Sequence, residues 1–203
     1  MAASAAAALA AVAVGLAAAV SAVVAAARVA VAHREIGEMS IKRVLKHLFT
    51  PHWIVSRAFT RAALQRIGEA IAKSELSHDG ELRFAVEAGL HIVPLVHGVS
   101  PRQRARELFS QLHVWDTEHN SGVLIYLQLV DRRIEIVADR GISAKVAQTE
   151  WDAICRRMES AFKQGEFEAG SIKAIEEITG LLAMHFPPIG DNPNELPDQP
   201  VVL

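Results

Sequence analysis

One stretch of the chain constrains the fold more than any other. Residues 123–130, Val-Leu-Ile-Tyr-Leu-Gln-Leu-Val, are nearly all apolar, which is typical of a strand covered on both faces of its sheet. Asp131-Arg132-Arg133 then turns the chain into residues 134–138, which predicts a second strand paired with the first in an antiparallel hairpin. A domain that buries such a hairpin needs further layers packed against the sheet.

The flanking segments can supply those layers. Apolar residues recur with helical spacing in four segments, at residues 60–77, 101–113, 143–163 and 167–185. Residues 81–87 alternate instead: Leu82, Phe84 and Val86 point one way, which predicts a half-buried strand. We therefore predict an α/β fold, an αβα sandwich with a small mixed sheet and helices on both faces.

The first 38 residues have a different composition from the rest. They contain 18 alanines, and no charged residue occurs from Met1 to Ala27. This segment could be a weak membrane anchor, since it is long enough to span a bilayer but buries little apolar area. It could also be a spurious extension, because Met39 opens Met-Ser-Ile-Lys-Arg like an ordinary translation start. Export is the third reading, but no Lys or Arg precedes the apolar run.

Two further segments flank the predicted domain. Residues 39–59 mix cations with Leu, Phe and Trp, which predicts a basic amphipathic arm whose helix stops near Pro51. The arm either packs on the domain or lies on an anionic membrane surface with Trp53 at the interface. In an anchored chain, the cations after residue 27 would keep the domain on the cytoplasmic side of the inner membrane. Residues 187–203 are rich in proline and lack periodicity, which predicts a disordered tail.

Composition excludes some classes of function. A formal net charge of -2 excludes a protein that grips nucleic acid through a basic surface. The single cysteine, Cys155, excludes an internal disulfide framework, and its place in a helix indicates a small buried hydrophobe. Arg102, Arg104 and Arg106, at the start of a helix, indicate a solvent-exposed face.

An ordered string of features carries a resemblance to a known family. The features are Ser74-Glu75 ahead of a strand, Arg104-Ala-Arg-Glu-Leu-Phe109, Asn120-Ser-Gly-Val-Leu-Ile-Tyr126, Gly141 after a strand, and Phe162-Lys-Gln-Gly-Glu-Phe-Glu-Ala-Gly170. In this order, residues 60–186 resemble the TPM domain family, which includes thylakoid-lumen proteins linked to photosystem II repair and many bacterial membrane-associated proteins. The resemblance implies an αβα sandwich.

The resemblance leaves the activity open. Some plant relatives are described as acid phosphatases, and others look like assembly or interaction modules. Asp139-Arg140-Gly141 stands where many relatives carry a Gly-aromatic-Gly ending, which suggests a cytoplasmic subfamily whose chemistry need not be that of the plant enzymes.

The hairpin itself predicts a site. It places residues 116–120, before its first strand, beside residues 139–140, after its second. Asp116, Glu118, Asn120 and Asp139 would then offer the oxygen ligands that Ca²⁺ or Mg²⁺ prefers, with Arg140 and His119 as possible substrate contacts. A parallel crossover would add His78, Asp79 and Glu81 to this edge.

These polar residues also have a plain structural interpretation. Asn, Asp and Gly occur in turns for backbone reasons, Asp139-Arg140 could be an exposed charge pair, and Trp115 would be a core residue. We expect a binding or assembly module with a protein partner, possible membrane association through residues 1–57, and a bound divalent cation. The alternative is a metal-assisted phosphatase that acts on phosphomonoesters.

Overall fold

The computed structural model describes residues 46–47, 53–90, 98–189 and 193–203 of the 203-residue chain. The interpretations of residues 1–38, and most of those for the arm at 39–59, lie outside the described residues. The chain divides into two units, one of Met1–Leu48 with His91–Val99 and one of Phe49–Leu90 with Ser100–Leu203. The second unit holds every element below.

Six helices and four strands follow one another in this unit, as far as the described residues show. In chain order they are α1 (Trp53–Ala58), α2 (Arg61–Glu75), β1 (Glu81–Glu87), α3 (Pro101–Gln111), β2 (Gly122–Gln128), β3 (Arg133–Ala138), α4 (Arg140–Ser143), α5 (Gln148–Lys163), α6 (Phe167–His185) and β4 (Val201–Val202). Most segments predicted from periodicity are therefore confirmed. The predicted helix at 143–163 starts later than predicted, because Ser143 ends the short helix α4 and α5 runs from Gln148 to Lys163.

The four strands form one mixed sheet in the order β3-β2-β1-β4. β2 pairs antiparallel with β3, as the hairpin predicts. β1 pairs parallel with β2, with Glu81 opposite Gly122, and β4 pairs parallel with β1.

A hydrophobic cluster covers each face of the sheet. One face packs Leu82, Phe84 and Ile125 against residues of α2, α5 and α6. The other face packs Leu124 and Tyr126 against α3, with Leu108 at the contact. The protein is thus an αβα sandwich with a small mixed sheet and helices on both faces, as predicted. None of the helices in the described residues is both long and apolar enough to cross a bilayer.

Two sequence expectations need correction. β1 is buried along its whole length and not on one face only, because α3 and the C-terminal residues cover its polar side. The tail is not disordered from residue 193 onwards: Val201–Val202 forms β4, and the Leu203 amide donates to the Val86 carbonyl at 2.9 Å. Leu196 in the same tail is only 6% exposed. These long-range contacts fix a segment that has no local periodicity of its own.

Candidate functional site

The sheet topology brings three chain segments to one edge. β1 and β2 begin side by side, and the end of β3 lies opposite the start of β2, where Val123 faces Ala138. We call this the start edge, defined by Glu81, Gly122 and Ala138. The predicted convergence of residues 116–120 with residues 139–140 is confirmed by the contact between Asn120 and Arg140. The parallel pairing of β1 with β2 is also confirmed, and it brings His78, Asp79 and Glu81 to this edge.

Close backbone packing fixes the loop that leads into β2. We call residues 112–121 the Trp115 loop. Ser121 is buried; its amide donates to the Thr117 hydroxyl at 2.9 Å, and its own hydroxyl donates to the Asp79 carbonyl at 2.8 Å. A Cβ atom on Gly122 would lie 1.9 Å from the Val114 carbonyl oxygen. The loop therefore packs so closely against the start of β2 that position 122 has no space for a side chain.

Trp115 does not enter the core. It is 48% exposed, and its ring lies 6.1 Å from that of His113, which has a positive φ of 54°. The expectation of a core tryptophan is wrong, because the buried position in this segment is occupied by Val114 instead. Asp116, Glu118 and His119 beside it are also exposed, so the loop presents an aromatic ring among polar groups.

Two of the predicted ligands lie together at the edge. The Asp139 carboxylate caps α4 by accepting from the Arg140 amide at 2.6 Å. The Arg140 guanidinium donates to the Asn120 side-chain oxygen at 2.8 Å. Gly141 packs directly under the loop backbone at residues 119–120. Asn120, Asp139 and Arg140 are thus brought together as the sequence predicted.

The other two predicted ligands lie on the exposed loop. The backbone amide of Glu118 donates to the carboxylate of Glu195, in the C-terminal tail, at 3.1 Å. In the described ranges, no three His, Cys, Asp or Glu side chains come together as a metal-ligand group. One oxygen, Oδ2 of Asp139, is nevertheless buried with no hydrogen-bond partner among the described residues. The four-residue cation site is not assembled by these positions, and it stays a prediction.

A cavity of about 250 Å³ opens at the same edge. It is lined by Asp79, His119, Lys145, His185, Phe186, Pro187 and Ile189. Asp79 accepts from the Ile189 amide at 2.9 Å, and Lys145 donates to the His185 carbonyl at 2.9 Å while lying 4.1 Å from the centre of the Phe186 ring. These contacts fasten the end of α6 to the start edge. Of the lining residues, Lys145 and His185 were not predicted as part of this site, since nothing in their local sequence links them to the hairpin.

A second buried polar group lies at the opposite end of β1 and β2. Glu87 is 1% exposed and accepts from Arg104 Nη2 at 2.9 Å and from the Tyr126 hydroxyl at 2.5 Å. Gln128 donates to the same hydroxyl at 3.3 Å. Burial, followed by the charge of Glu87, raises the pKa of Tyr126. Arg104 therefore does not lie on a solvated face; it neutralises a buried carboxylate, which would be costly to leave unpaired.

Cys155 is half-buried on α5, and so less deeply buried than its position in an apolar helix predicts. Burial raises the pKa of its thiol to about 12. The thiolate needed for nucleophilic attack is therefore not formed at neutral pH.

The chain is similar to a known domain family and to a solved structure. The family model of the TPM domain matches residues 56–181. Among solved structures, the chain is similar to the NMR structure of the BA42 protein from the psychrophilic bacterium Bizionia argentinensis sp. nov.. The sequence identity is 30% and the TM-score 0.63, and the match covers 71% of this chain and 95% of that one. No curated protein matches the chain.

Proposed function

The chain belongs to the TPM domain family, and from that premise we propose that it acts as a binding or assembly module whose contact surface is the Trp115 loop at the start edge. The partner is a protein with an apolar recess for the indole and donors for the flanking carboxylates. Attachment to the cytoplasmic face of the inner membrane through residues 1–57 is part of the same proposal.

The exposed Trp115 is the observation that carries this proposal. Large aromatic residues that stand on a rigid scaffold lose little conformational entropy on binding, and they dominate the energetics of many protein interfaces. Trp115 is 48% exposed, while hydrogen bonds and close packing hold the loop beneath it at Ser121 and Gly122. Exposure of the ring to water is unfavourable, and its burial against a partner lowers the free energy of the complex.

Site-specific cross-linking tests the proposal directly. A photoreactive phenylalanine analogue replaces Trp115 in the full chain in its own host. As the matched control, the same analogue replaces Leu76, which follows α2 and is 82% exposed. We expect a discrete cross-linked product from position 115 and not from position 76. Excess purified wild-type protein should compete with it in a lysate, and excess Trp115→Ala should compete much less.

Equal labelling from both positions, or equal competition by the two proteins, would overturn the binding proposal. Circular dichroism of Trp115→Ala provides the folding control. An exposed aromatic side chain contributes little to the core, so we expect its unfolding transition to match that of the wild type to within about 0.5 kcal/mol.

The unpartnered Asp139 oxygen favours one alternative, a metal-assisted phosphatase. Asp139 and Asn120 would hold Ca²⁺ or Mg²⁺ together with Asp116 and Glu118, and Arg140 and His119 would contact the phosphomonoester. A cation there could polarise a phosphoryl oxygen and activate water. Because Asp116 and Glu118 are exposed on the loop, binding would have to draw their side chains towards Asp139.

Thermal unfolding during titration with Ca²⁺ and Mg²⁺ tests this alternative. A bound cation should raise the melting temperature as its concentration rises, and Asp139→Asn, which keeps the helix cap, should abolish that rise. Asp152→Asn, an exposed change on α5, serves as the control. Hydrolysis of a generic phosphomonoester should follow the same pattern across the three proteins. If neither cation changes the melting temperature, the proposed metal site is wrong.

A further inference from the structure

A separate cavity of about 330 Å³ lies at the end of the sheet opposite the start edge. We call it the strand-end cavity. It lies among α1, the β2–β3 turn, the end of α5 and the start of α6. Its apolar walls come from Ile54, Ala58, Leu127, Leu129, Ile134, Phe162 and Phe167. None of these residues takes part in the site at the start edge.

The walls of this cavity are held in place by aromatic packing. The Phe162 and Phe167 ring centres are 5.0 Å apart, and both rings pack against Phe59, at 6.1 and 5.7 Å. Phe59 itself is 1% exposed. The two rings that line the cavity are therefore packed against a side chain that is anchored in the core.

The cavity also has a charged lining. Arg132, Arg133 and Lys163 contribute three cations, and Glu159 contributes one carboxylate. Within the described ranges, none of the three cations forms an ion pair or a side-chain hydrogen bond. Arg132 has a positive φ of 52°, an unfavourable conformation for an L residue with a long side chain. Arg133 also acts electrostatically on Glu135 outside the lining. With three cations against one carboxylate, the lining has an excess of positive charge beside its apolar walls.

We propose that the strand-end cavity binds an acyl chain that carries an anionic head group, with a medium-chain fatty acid as the simplest example. The chain would lie against the apolar walls, where burial is favourable, and its carboxylate would accept charge-assisted hydrogen bonds from Arg132, Arg133 and Lys163. Ligands of open α/β sheets bind at the carboxyl ends of the strands, and β1 and β2 both end on this side.

Size and charge narrow the choice of occupant. Ligand pockets usually span ~300–1,000 Å³, so this cavity suits a short chain better than a long one. The chain's own basic segment, with Lys42, Arg43 and Lys46, has the wrong sign of charge for a lining with excess cations. An anionic amphiphile satisfies both the apolar walls and the charge.

Calorimetric titration of the full chain with three probes of equal chain length tests this assignment. The probes are octanoate, octan-1-ol and octylammonium. We expect octanoate to bind at least about tenfold more tightly than the alcohol, because a hydrogen bond to a charged group is worth more than a neutral one. We expect octylammonium to bind most weakly of the three. Equal affinities, or no heat with octanoate, would overturn the proposal.

Two variants separate the roles of head group and chain. Arg132→Gly combined with Arg133→Ala removes two cations, and glycine suits the positive φ at position 132. This double variant should lose the preference for octanoate over octanol, whereas Arg156→Ala, an exposed arginine elsewhere on α5, should keep it. Ala58→Leu, which narrows the cavity, should lower the affinity for both octanoate and octan-1-ol. Unchanged octanoate affinity in the double variant would overturn the assigned head-group contacts.

Vesicles distinguish the two sources of such a ligand. Phosphatidylcholine vesicles with and without phosphatidylglycerol are mixed with wild-type protein and with the double variant. Vesicle binding that octanoate competes away, and that the double variant lacks, supports an acyl chain taken from an anionic membrane. Octanoate binding with no effect on vesicles supports a free fatty acid. Vesicle binding that is the same in both proteins and insensitive to octanoate contradicts a membrane source.

Discussion

Gly141 determines how tightly the two halves of the start edge can meet. A Cβ atom at this position would lie 2.6 Å from the Asn120 carbonyl oxygen and 2.7 Å from that of His119. Its φ is not in the left-handed region, so space and not backbone conformation requires the glycine. The same contact brings Asn120 within reach of Arg140, so the residue that permits close packing also builds the candidate site.

Gly141→Ala should therefore destabilise the protein. The methyl group would push on two carbonyl oxygens that the sheet holds in place, and overpacking of this kind costs about 1–3 kcal/mol. Gly180→Ala is the matched control, because a Cβ atom there meets nothing within 4 Å on α6, and it should stabilise the protein by about 0.5–1 kcal/mol. Urea unfolding measures both changes; a neutral Gly141→Ala would show that the loop can move away.

Single residues also show where sequence reasoning stops. Asn120, Asp139 and Arg140 were predicted to meet because a hairpin brings its two ends together whatever its sequence. The exposure of Trp115 and the burial of Arg104 were not predicted, because neither follows from local periodicity. Arg104 is buried against Glu87, which lies on the preceding strand 17 residues earlier in the chain.

At the scale of elements, the C-terminal tail is the part whose sequence was least informative. It contributes Leu196 to a hydrophobic cluster and a two-residue strand to the sheet, yet its prolines and lack of periodicity predicted disorder. The tail also covers acidic groups. The Leu196 amide donates to the Glu81 carboxylate at 3.1 Å, and Glu75, which accepts from the Leu82 amide, is influenced by Asp198.

This arrangement predicts that stability falls as pH rises. Burial raises the pKa of Glu75 from 4.5 to about 9 and that of Glu81 from 4.5 to about 7. Below pH 4.5 both groups are protonated whether the chain is folded or unfolded, so this contribution is fully present. Above it, only the unfolded chain releases the protons, and stability is lost through pH 7 for Glu81 and pH 9 for Glu75, at up to about 1.4 kcal/mol per pH unit for each group.

Urea unfolding of wild type and Glu75→Gln between pH 5 and 9 measures this effect. Glutamine keeps an oxygen acceptor for the Leu82 amide but cannot ionise, so the variant should be more stable than wild type at pH 8 and show a shallower dependence on pH. Glu176→Gln, an exposed change on α6, should follow the wild-type profile. Identical slopes for wild type and Glu75→Gln would contradict the proposed burial.

For the whole molecule, the layered architecture was predictable and the depth of burial was not. β2 reads as a continuous apolar run, and the prediction that both its faces are covered is confirmed. β1 alternates in sequence, which correctly predicted that Leu82, Phe84 and Val86 share one face. Its polar side is nonetheless buried as well, by α3 and by a tail more than a hundred residues away in sequence. No local pattern carries that information.

Hydrogen exchange should reflect this depth. Amides in β1 and β2 lie between two hydrophobic clusters, so they should exchange only through global unfolding, with the slowest rates near Phe84 and Ile125. Amides of α3, which has exposed residues on one side, should also exchange through smaller openings. Measurement in low concentrations of urea separates the two classes. Similar rates in β1 and α3 would contradict a sheet protected on both faces.

The pairing of β1 with β4 has a consequence for the solubility of the protein. β1 is fully buried and rich in apolar residues, and it lies only one strand from the margin of the sheet. Unpaired strands of this kind template aggregation between chains. Val201 and Val202 occupy that margin, so the short strand β4 also protects β1 from pairing with another chain. A protein clipped before residue 193 should precipitate at concentrations that the intact chain tolerates.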